Sequence, residues 1–110
     1  GFAAEDLVRL GGATRYETAT TIAKYAIEEG WLYSRFFGIA TGENFPDALA
    51  GGAACGSESG PLLLTKGDEL RASAAALMRS YQDELREIYV FGGSDVVSDQ
   101  VMEDCAQLMP

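Results

Sequence analysis

Histidine is absent from this 110-residue chain, and cysteine occurs only as Cys55 and Cys105. Structural zinc sites are built from clustered cysteine and histidine side chains, so this composition excludes them, and two isolated thiols make a poor site for any metal. We therefore expect no metal and no cofactor. Both thiols are expected to be small apolar core residues, although a disulfide between them stays open if the fold brings them together.

Basic residues are also scarce, with 8 lysines and arginines against 17 acidic residues and a net charge of −9. Nucleic-acid-binding proteins normally present a net basic face, so that class is excluded and only a small local arginine site remains compatible. The chain has no run of about 18 apolar residues, and we expect no membrane span. The opening stretch GFAAED lacks the basic and apolar regions of a secretion signal, so any export signal would lie outside these residues.

Four strand-helix units follow one another along the chain. The strands are near-continuous apolar runs, typical of a parallel sheet that helices cover on both faces. We predict strands at 7–10, 36–41, 61–65 and 87–91, and helices at 15–29, 46–55, 70–82 and 98–109. This alternation predicts an α/β fold with a mainly parallel sheet of about four strands in a single domain over residues 7–109. The strand order does not follow from the sequence.

The predicted helices differ in how they begin and in what they bury. Thr14 and Glu17 have the T-x-x-E spacing of a capping box, and Ser98 is expected to cap the last helix. Pro46 and Asp47 both suit the first turn of a helix. The helix at 46–55 contains adjacent glycines, which favours close backbone approach to either the domain's own sheet or a second copy.

Ligands of open α/β sheets bind at the carboxyl ends of the strands, where the loops 11–15, 41–47, 65–69 and 92–98 should meet. Arg9 and Arg15 flank the first loop, and Arg15 lies in the first helical turn, where a cation opposes the helix dipole. The two arginines either pair with acids such as Asp47 and Asp95, or bind an external phosphate, carboxylate or sugar.

Enzyme motifs are missing. There is no histidine base, no G-x-S-x-G elbow, no phosphate-binding P-loop and no G-x-G-x-x-G fingerprint. A small enzyme acting on a phosphorylated ligand is therefore the weakest interpretation, and a binding module or an oligomerisation unit is favoured.

Four landmarks in order, RLGGATRYET (9–18), ATGENFPDAL (40–49), PLLLT (61–65) and VFGGSDVVS (90–98), resemble the cell wall binding repeat type 2 family of Gram-positive surface proteins. The family's R-x-x-G-x-x-R-Y-x-T signature is matched by Arg9, Gly12, Arg15, Tyr16 and Thr18. Its P-D-A-L signature is matched at 46–49. Its Pro-Ile-Leu-Leu signature is matched by Pro61, Leu62, Leu63 and Leu64, with leucine in place of isoleucine.

The resemblance implies a small Toprim- or Rossmann-like domain, outside the cell, that holds a surface protein non-covalently on an anionic wall polysaccharide or teichoic-acid-like polymer. It also implies three copies packed as a trimer, whereas this chain carries one copy, so three chains or sister repeats would have to associate. The helix at 48–54 is a candidate face for that association. We expect structural roles for Pro46, Gly92, Gly93 and the strand at 61–64, and ligand contacts from Arg9, Gly12, Arg15, Tyr16, Thr18, Asn44, Asp47 and Ser94.

Overall fold

A three-stranded parallel sheet lies between two layers of helices in the computed structural model, which describes residues 7–110. The opening stretch 1–6, on which the absence of an export signal was argued, lies outside the described residues. The elements run in the order α1 (Arg15–Glu28), β1 (Phe36–Thr41), α2 (Phe45–Ser57), β2 (Leu62–Thr65), α3 (Ala72–Ser80), β3 (Glu87–Phe91) and α4 (Asp99–Ala106). The strand order is β2-β1-β3, and Ile39 of β1 is paired with Leu63 of β2 and with Val90 of β3.

The α/β class and the parallel sheet are confirmed, but the predicted strand at 7–10 is not formed. Residues 7–10 have no strand partner within the described part of the chain, and Leu7 and Val8 are 71% and 53% exposed. A strand needs a neighbouring edge as well as a suitable sequence, and a sequence pattern cannot show whether that edge is within reach. The seven other predicted elements are present: the strands at 36–41 and 87–91 have the predicted ends, and the ends of the other five elements agree within three residues.

The larger core lies on one face of the sheet. All six residues of β1 are buried, which agrees with the continuous apolar run that predicted a central strand. On this face Phe37, Ile39 and Leu63 pack against buried residues of α1, α3 and α4. Helix α4 is capped as predicted, since the Ser98 hydroxyl accepts a hydrogen bond of 3.4 Å from the Val101 backbone N–H.

Helix α2 covers the opposite face, and the domain's own sheet explains the buried Gly51 of this helix. A side chain at Gly51 would collide with the Phe91 ring, and one at Gly38 would collide with the Cys55 sulfur. The first of the two interpretations of the glycine-rich helix is therefore confirmed for the inward face. Cys55 on α2 and Cys105 on α4 are both buried free thiols, so the interpretation as apolar core residues is confirmed and the disulfide is not formed.

Candidate functional site

The loops that follow the three strands meet at one edge of the sheet, as predicted, and enclose an open cavity of about 580 Å³. The β2–α3 and β3–α4 loops are joined there by a hydrogen bond of 2.7 Å from the Ser98 N–H to the Gly67 carbonyl. The wall of the cavity comes from all three loops. Its lining residues are Glu43, Lys66, Gly67, Asp68, Ser94, Asp95, Val96 and Ser98.

The charge of this cavity is mainly negative, because Glu43, Asp68 and Asp95 contribute three carboxylates against the single ammonium of Lys66. Within residues 7–110, no three side chains of the types that bind metals are close enough together to hold an ion. Carboxylates accept hydrogen bonds from hydroxyl groups and repel phosphates. The cavity therefore suits a neutral, hydroxyl-rich ligand better than an anion.

The loop before α1 folds back onto the first turn of that helix. The Gly12 N–H donates a hydrogen bond of 3.0 Å to the Thr18 hydroxyl. A Cβ at position 12 would lie 2.6 Å from Glu17 Cβ and 2.9 Å from the Glu17 carbonyl carbon, so only glycine fits this approach. Gly12 and Thr18, two of the five signature positions, are thus hydrogen-bonded to each other.

The predicted capping box at the start of α1 is wrong in its detail. The Thr14 hydroxyl donates to the Glu17 carboxylate instead of accepting from a backbone N–H. This hydrogen bond is the main reason that the pKa of Glu17 is lowered, and Arg71 lowers it further. The side chains of Thr14 and Glu17 can bond either to free backbone N–H groups at the helix start or to each other, and here they bond to each other.

Arg15 contacts the backbone and not an acid. Its guanidinium donates to the Gly42 carbonyl at the end of β1. Within residues 7–110 neither Asp47 nor Asp95 lies within ion-pair distance of Arg9 or Arg15, so the predicted internal pairing is not formed. Both arginines are exposed. Arg15 is thereby held against the β1–α2 loop, in which Glu43, the residue after Gly42, lines the cavity.

Tyr16 is a packing residue. It is buried, and its ring lies against Gly42, where a Cβ would come within 2.9 Å of the ring. Its hydroxyl reaches Glu43 Oε1 at 3.5 Å. The Arg71 guanidinium lies over the same ring, 5.1 Å from its centroid. Tyr16 therefore connects α1, the β1–α2 loop and the start of α3, and its exposed surface is small.

Arg71, which was not predicted from the sequence, pairs with the start of α1. It precedes α3 and forms an ion pair of 3.2 Å with Glu17, whose carboxylate also accepts from the Ser73 hydroxyl at 3.4 Å. Arg71 lies 54 residues after Glu17 in the chain, and its position before α3 carries no motif. Only the tertiary fold brings the two charges together, so no local signal could have identified the pair.

Asn44 and Asp47 organise the start of α2. Asn44 is the N-cap, and its side-chain oxygen accepts a hydrogen bond of 3.3 Å from the Asp47 N–H, while Pro46 occupies the first turn. The Asp47 carboxylate points toward the β3–α4 loop, where a Cβ at Gly92 would lie 3.2 Å from Asp47 Oδ2. Gly92 has φ +126°, a conformation that other residues rarely adopt. Pro46, Asp47 and Gly92 thus shape the loop edge.

The remaining predicted positions divide between cavity and sheet. Ser94 is exposed and lines the cavity, next to Gly93. Pro61 is buried, and its carbonyl accepts a hydrogen bond of 2.9 Å from the Gly38 N–H. Leu63 is fully buried in the larger core, while Leu62 and Leu64 are half-buried and point to the α2 side. Leu62, Leu63 and Leu64 therefore belong to the edge strand β2, Pro61 directly precedes it, and none of the four lines the cavity.

Comparison with known proteins agrees with this picture at the family level. The family model described as "Cell wall binding domain 2 (CWB2)" matches residues 9–102, which is most of the chain. No curated protein and no solved structure matches the chain. In residues 7–110 every helix is too short or too polar to cross a lipid bilayer.

Proposed function

Because this chain belongs to the cell wall binding domain 2 family, we propose that residues 7–109 form one wall-anchoring module that holds a Gram-positive surface protein on an anionic wall glycopolymer. Binding to the cell wall, at the cell surface, is the role that family membership supports. The identity of the ligand as an anionic, teichoic-acid-like polymer and the residues that contact it are our proposal. The role needs no catalytic step, in keeping with the absence of enzyme motifs in the sequence.

Arg9 and Arg15 are proposed to bind the anionic groups of the polymer. The observation that carries this assignment is the state of Arg15, which is exposed and anchored through the Gly42 carbonyl while no acidic side chain in residues 7–110 pairs with it. A guanidinium has five N–H donors in a fixed plane, so one bond to the backbone leaves the fork that suits phosphate or carboxylate. Holding the side chain in place also reduces the entropy lost on binding.

The acidic cavity beside Arg15 is proposed to receive the sugar units. Glu43, Asp68 and Asp95 accept hydrogen bonds from sugar hydroxyls, and the Ser94 hydroxyl can donate or accept. Asn44, which follows Glu43 in the chain, and Asp47 in the first turn of α2 are proposed to contact the polymer next to this cavity. The anionic groups of the polymer would thus bind the arginines, and its neutral sugar units would bind the neighbouring acidic cavity.

The net charge of −9 limits how this binding operates. A strongly acidic protein is not steered toward a polyanion by a broad field, so the attraction must be local and short-ranged. Binding through two arginines should weaken with added salt, but far less steeply than binding through a large basic surface.

Retention on purified cell walls tests the assignment. The Arg9→Ala/Arg15→Ala variant should bind at least about tenfold more weakly, because charge-assisted hydrogen bonds contribute about 1.5–3 kcal/mol each and 1.4 kcal/mol is a factor of ten. The matched control is Lys24→Ala/Arg79→Ala, which removes two positive charges at other exposed positions and gives the same net charge.

Both variants should first show unchanged circular dichroism, because all four side chains are exposed. The unfolding free energy of the arginine variant should fall by no more than the loss of the Arg15–Gly42 hydrogen bond, about 0.5–1.5 kcal/mol. Equal retention of the arginine variant and the wild type would refute the arginine site. Equal losses in the two variants would show that net charge and not position governs retention.

A second candidate function is structural: the chain would act as an oligomerisation unit whose polymer site is complete only in a trimer of copies or sister repeats. The observation that favours it is the number of large apolar side chains left on the surface, among them Leu49, Trp31, Tyr89 and Met102, at 46–66% exposure. Sedimentation at increasing concentration tests this function, and a monomer at every concentration contradicts it.

A further inference from the structure

Strand β3 is the most open part of the sheet. It lies at one end of the order β2-β1-β3, and no strand within residues 7–110 pairs with its outer side. Glu87 and Tyr89 are exposed and Ile88 and Val90 are only half-buried, whereas two of the four residues of the other edge strand, β2, are completely buried. An uncovered edge presents backbone donors and acceptors that can pair with another strand.

Cavities flank this edge on both faces of the sheet. One, of about 410 Å³, lies between β3 and α4 and is lined mainly by apolar groups, including Ile88, Val90, Met102 and Met109. The other, of about 310 Å³, lies on the α2 side and includes Tyr89 and Glu58. Side chains of a strand point alternately to opposite faces. A single additional strand beside β3 would therefore fill both cavities at once.

Residues 7–10 have the properties of that missing strand. Their sequence, Leu-Val-Arg-Leu, predicts a strand, yet they form none, and Leu7 and Val8 are mostly exposed. Two apolar side chains on one face, Val8 and Leu10, match the apolar cavity beside α4. On the other face Arg9 matches the carboxylates of Glu58 and Glu87, which both lie close to Tyr89.

The chain's own segment cannot reach this edge. Gly12 is held against the first turn of α1 by its bond to Thr18, and that turn contacts the end of β1 through Arg15 and Gly42. A strand added outside β3 would lie two strand spacings, about 10 Å, from β1. It would also lie in the sheet layer, about 10 Å below the axis of α1. The two residues from Gly12 to Leu10 span at most about 7 Å.

We propose that residues 7–10 of one copy add as a strand to the outer edge of β3 in a second copy. Val8 and Leu10 then lie between β3 and α4 of the receiving copy, and Arg9 lies beside Glu58 and Glu87. In assembled copies Arg15 is then the arginine that meets the polymer. Each copy has one donating segment and one receiving edge, so the contact is head-to-tail, and it gives a closed ring when the rotation from copy to copy returns to the first copy. The proposal rests on the assembly part of the proposed function and not on wall binding.

Sedimentation velocity of the full chain in the absence of any wall polymer provides the test. Val8→Lys places a charge on the donating segment, and Met102→Lys places one beside the receiving edge, where Met102 is 50% exposed. Each variant alone should sediment as a monomer at concentrations at which the wild type assembles, with at least a tenfold weaker association. The matched control, Ile22→Lys, carries the same change at a 47% exposed position of α1 and should assemble like the wild type.

Mixing the two variants separates strand addition from other contacts. The Val8→Lys chain keeps an intact receiving edge and the Met102→Lys chain keeps an intact segment, so an equimolar mixture should form a one-to-one complex that cannot grow further. A mixture that stays monomeric overturns the proposal, as does assembly of Val8→Lys alone. Dissociation by Ile22→Lys would also overturn it and would place the interface on α1. A wild type that stays monomeric contradicts both this proposal and the trimer, while the wall-retention test still decides wall binding.

Discussion

Replacing Gly12 by alanine should loosen the loop that carries Arg9, whereas the same change at Gly11 should not. A Cβ at position 12 would lie 2.6 Å from Glu17 Cβ, 2.9 Å from the Glu17 carbonyl carbon and 3.0 Å from the Thr18 nitrogen. Carbon atoms in contact are ordinarily about 3.5–4.0 Å apart. Because these neighbours belong to the first turn of α1, the loop must move and not the helix. At Gly11 nothing lies within 4 Å of the added atom.

The magnitude follows from what that movement breaks. Moving the loop by about 1 Å breaks the 3.0 Å hydrogen bond from the Gly12 N–H to the Thr18 hydroxyl, which contributes about 0.5–1.5 kcal/mol. Residual overpacking adds about 1–3 kcal/mol when the surroundings cannot yield, and less when they can. Since a loop yields more easily than a core, we expect Gly12→Ala to lower the free energy of unfolding by about 1–3 kcal/mol. Gly11→Ala should be neutral or stabilising by up to about 1 kcal/mol, because alanine restricts the unfolded chain.

Urea unfolding followed by circular dichroism measures both variants, and each kcal/mol should also lower Tm by about 4–8 °C in a domain of about 100 residues. A cycle with Thr18→Val sharpens the test. If Gly12→Ala already breaks the hydrogen bond, Thr18→Val should cost clearly less in its presence than in the wild type. Equal unfolding midpoints for Gly11→Ala and Gly12→Ala, or additive effects of Gly12→Ala and Thr18→Val, would refute the close contact on which this reasoning depends.

Two further predictions concern the buried thiols. Burial raises the pKa of Cys55 and of Cys105 to about 11, above the ordinary 9.0. The contribution of the two neutral thiols to stability should therefore be complete below pH 9 and should be lost as the pH rises through 11. Urea midpoints measured from pH 8 to 11 should fall less steeply in a Cys55→Ala/Cys105→Ala variant than in the wild type, and parallel pH profiles would contradict this. Gly38→Ala should destabilise by about 1–3 kcal/mol through overpacking against the Cys55 sulfur, and Cys55→Ala should recover part of that loss in the double variant, whereas purely additive unfolding free energies would rule out the contact.

The sequence predicted those parts of the fold that depend on local pattern. The central strand at 36–41 is a near-continuous apolar run and is buried throughout, and Ser98, predicted as a helix cap, does cap α4. Asn44 caps α2 but was predicted only as a ligand contact. The strand at 7–10 was wrong because strand formation also requires an accessible partner, which a local pattern cannot reveal. The pairing of Arg15 with a carbonyl, and of Arg71 with Glu17, depends on residues 27 and 54 positions away. Contacts at such separations follow from the tertiary fold alone.

The geometry changes what the R-x-x-G-x-x-R-Y-x-T signature does in this chain. Gly12 and Thr18 bind each other, and Tyr16 is buried beneath Arg71 and beside Gly42. Three of the five signature positions therefore have contacts within the domain that account for them, and our proposal assigns the ligand to the two arginines. Under this proposal Gly12, Tyr16 and Thr18 hold the arginines at the loop edge but do not determine which polymer the arginines bind. Selectivity among polymers would then depend on the neighbouring cavity, whose lining residues Glu43, Asp68, Ser94 and Asp95 lie outside that signature.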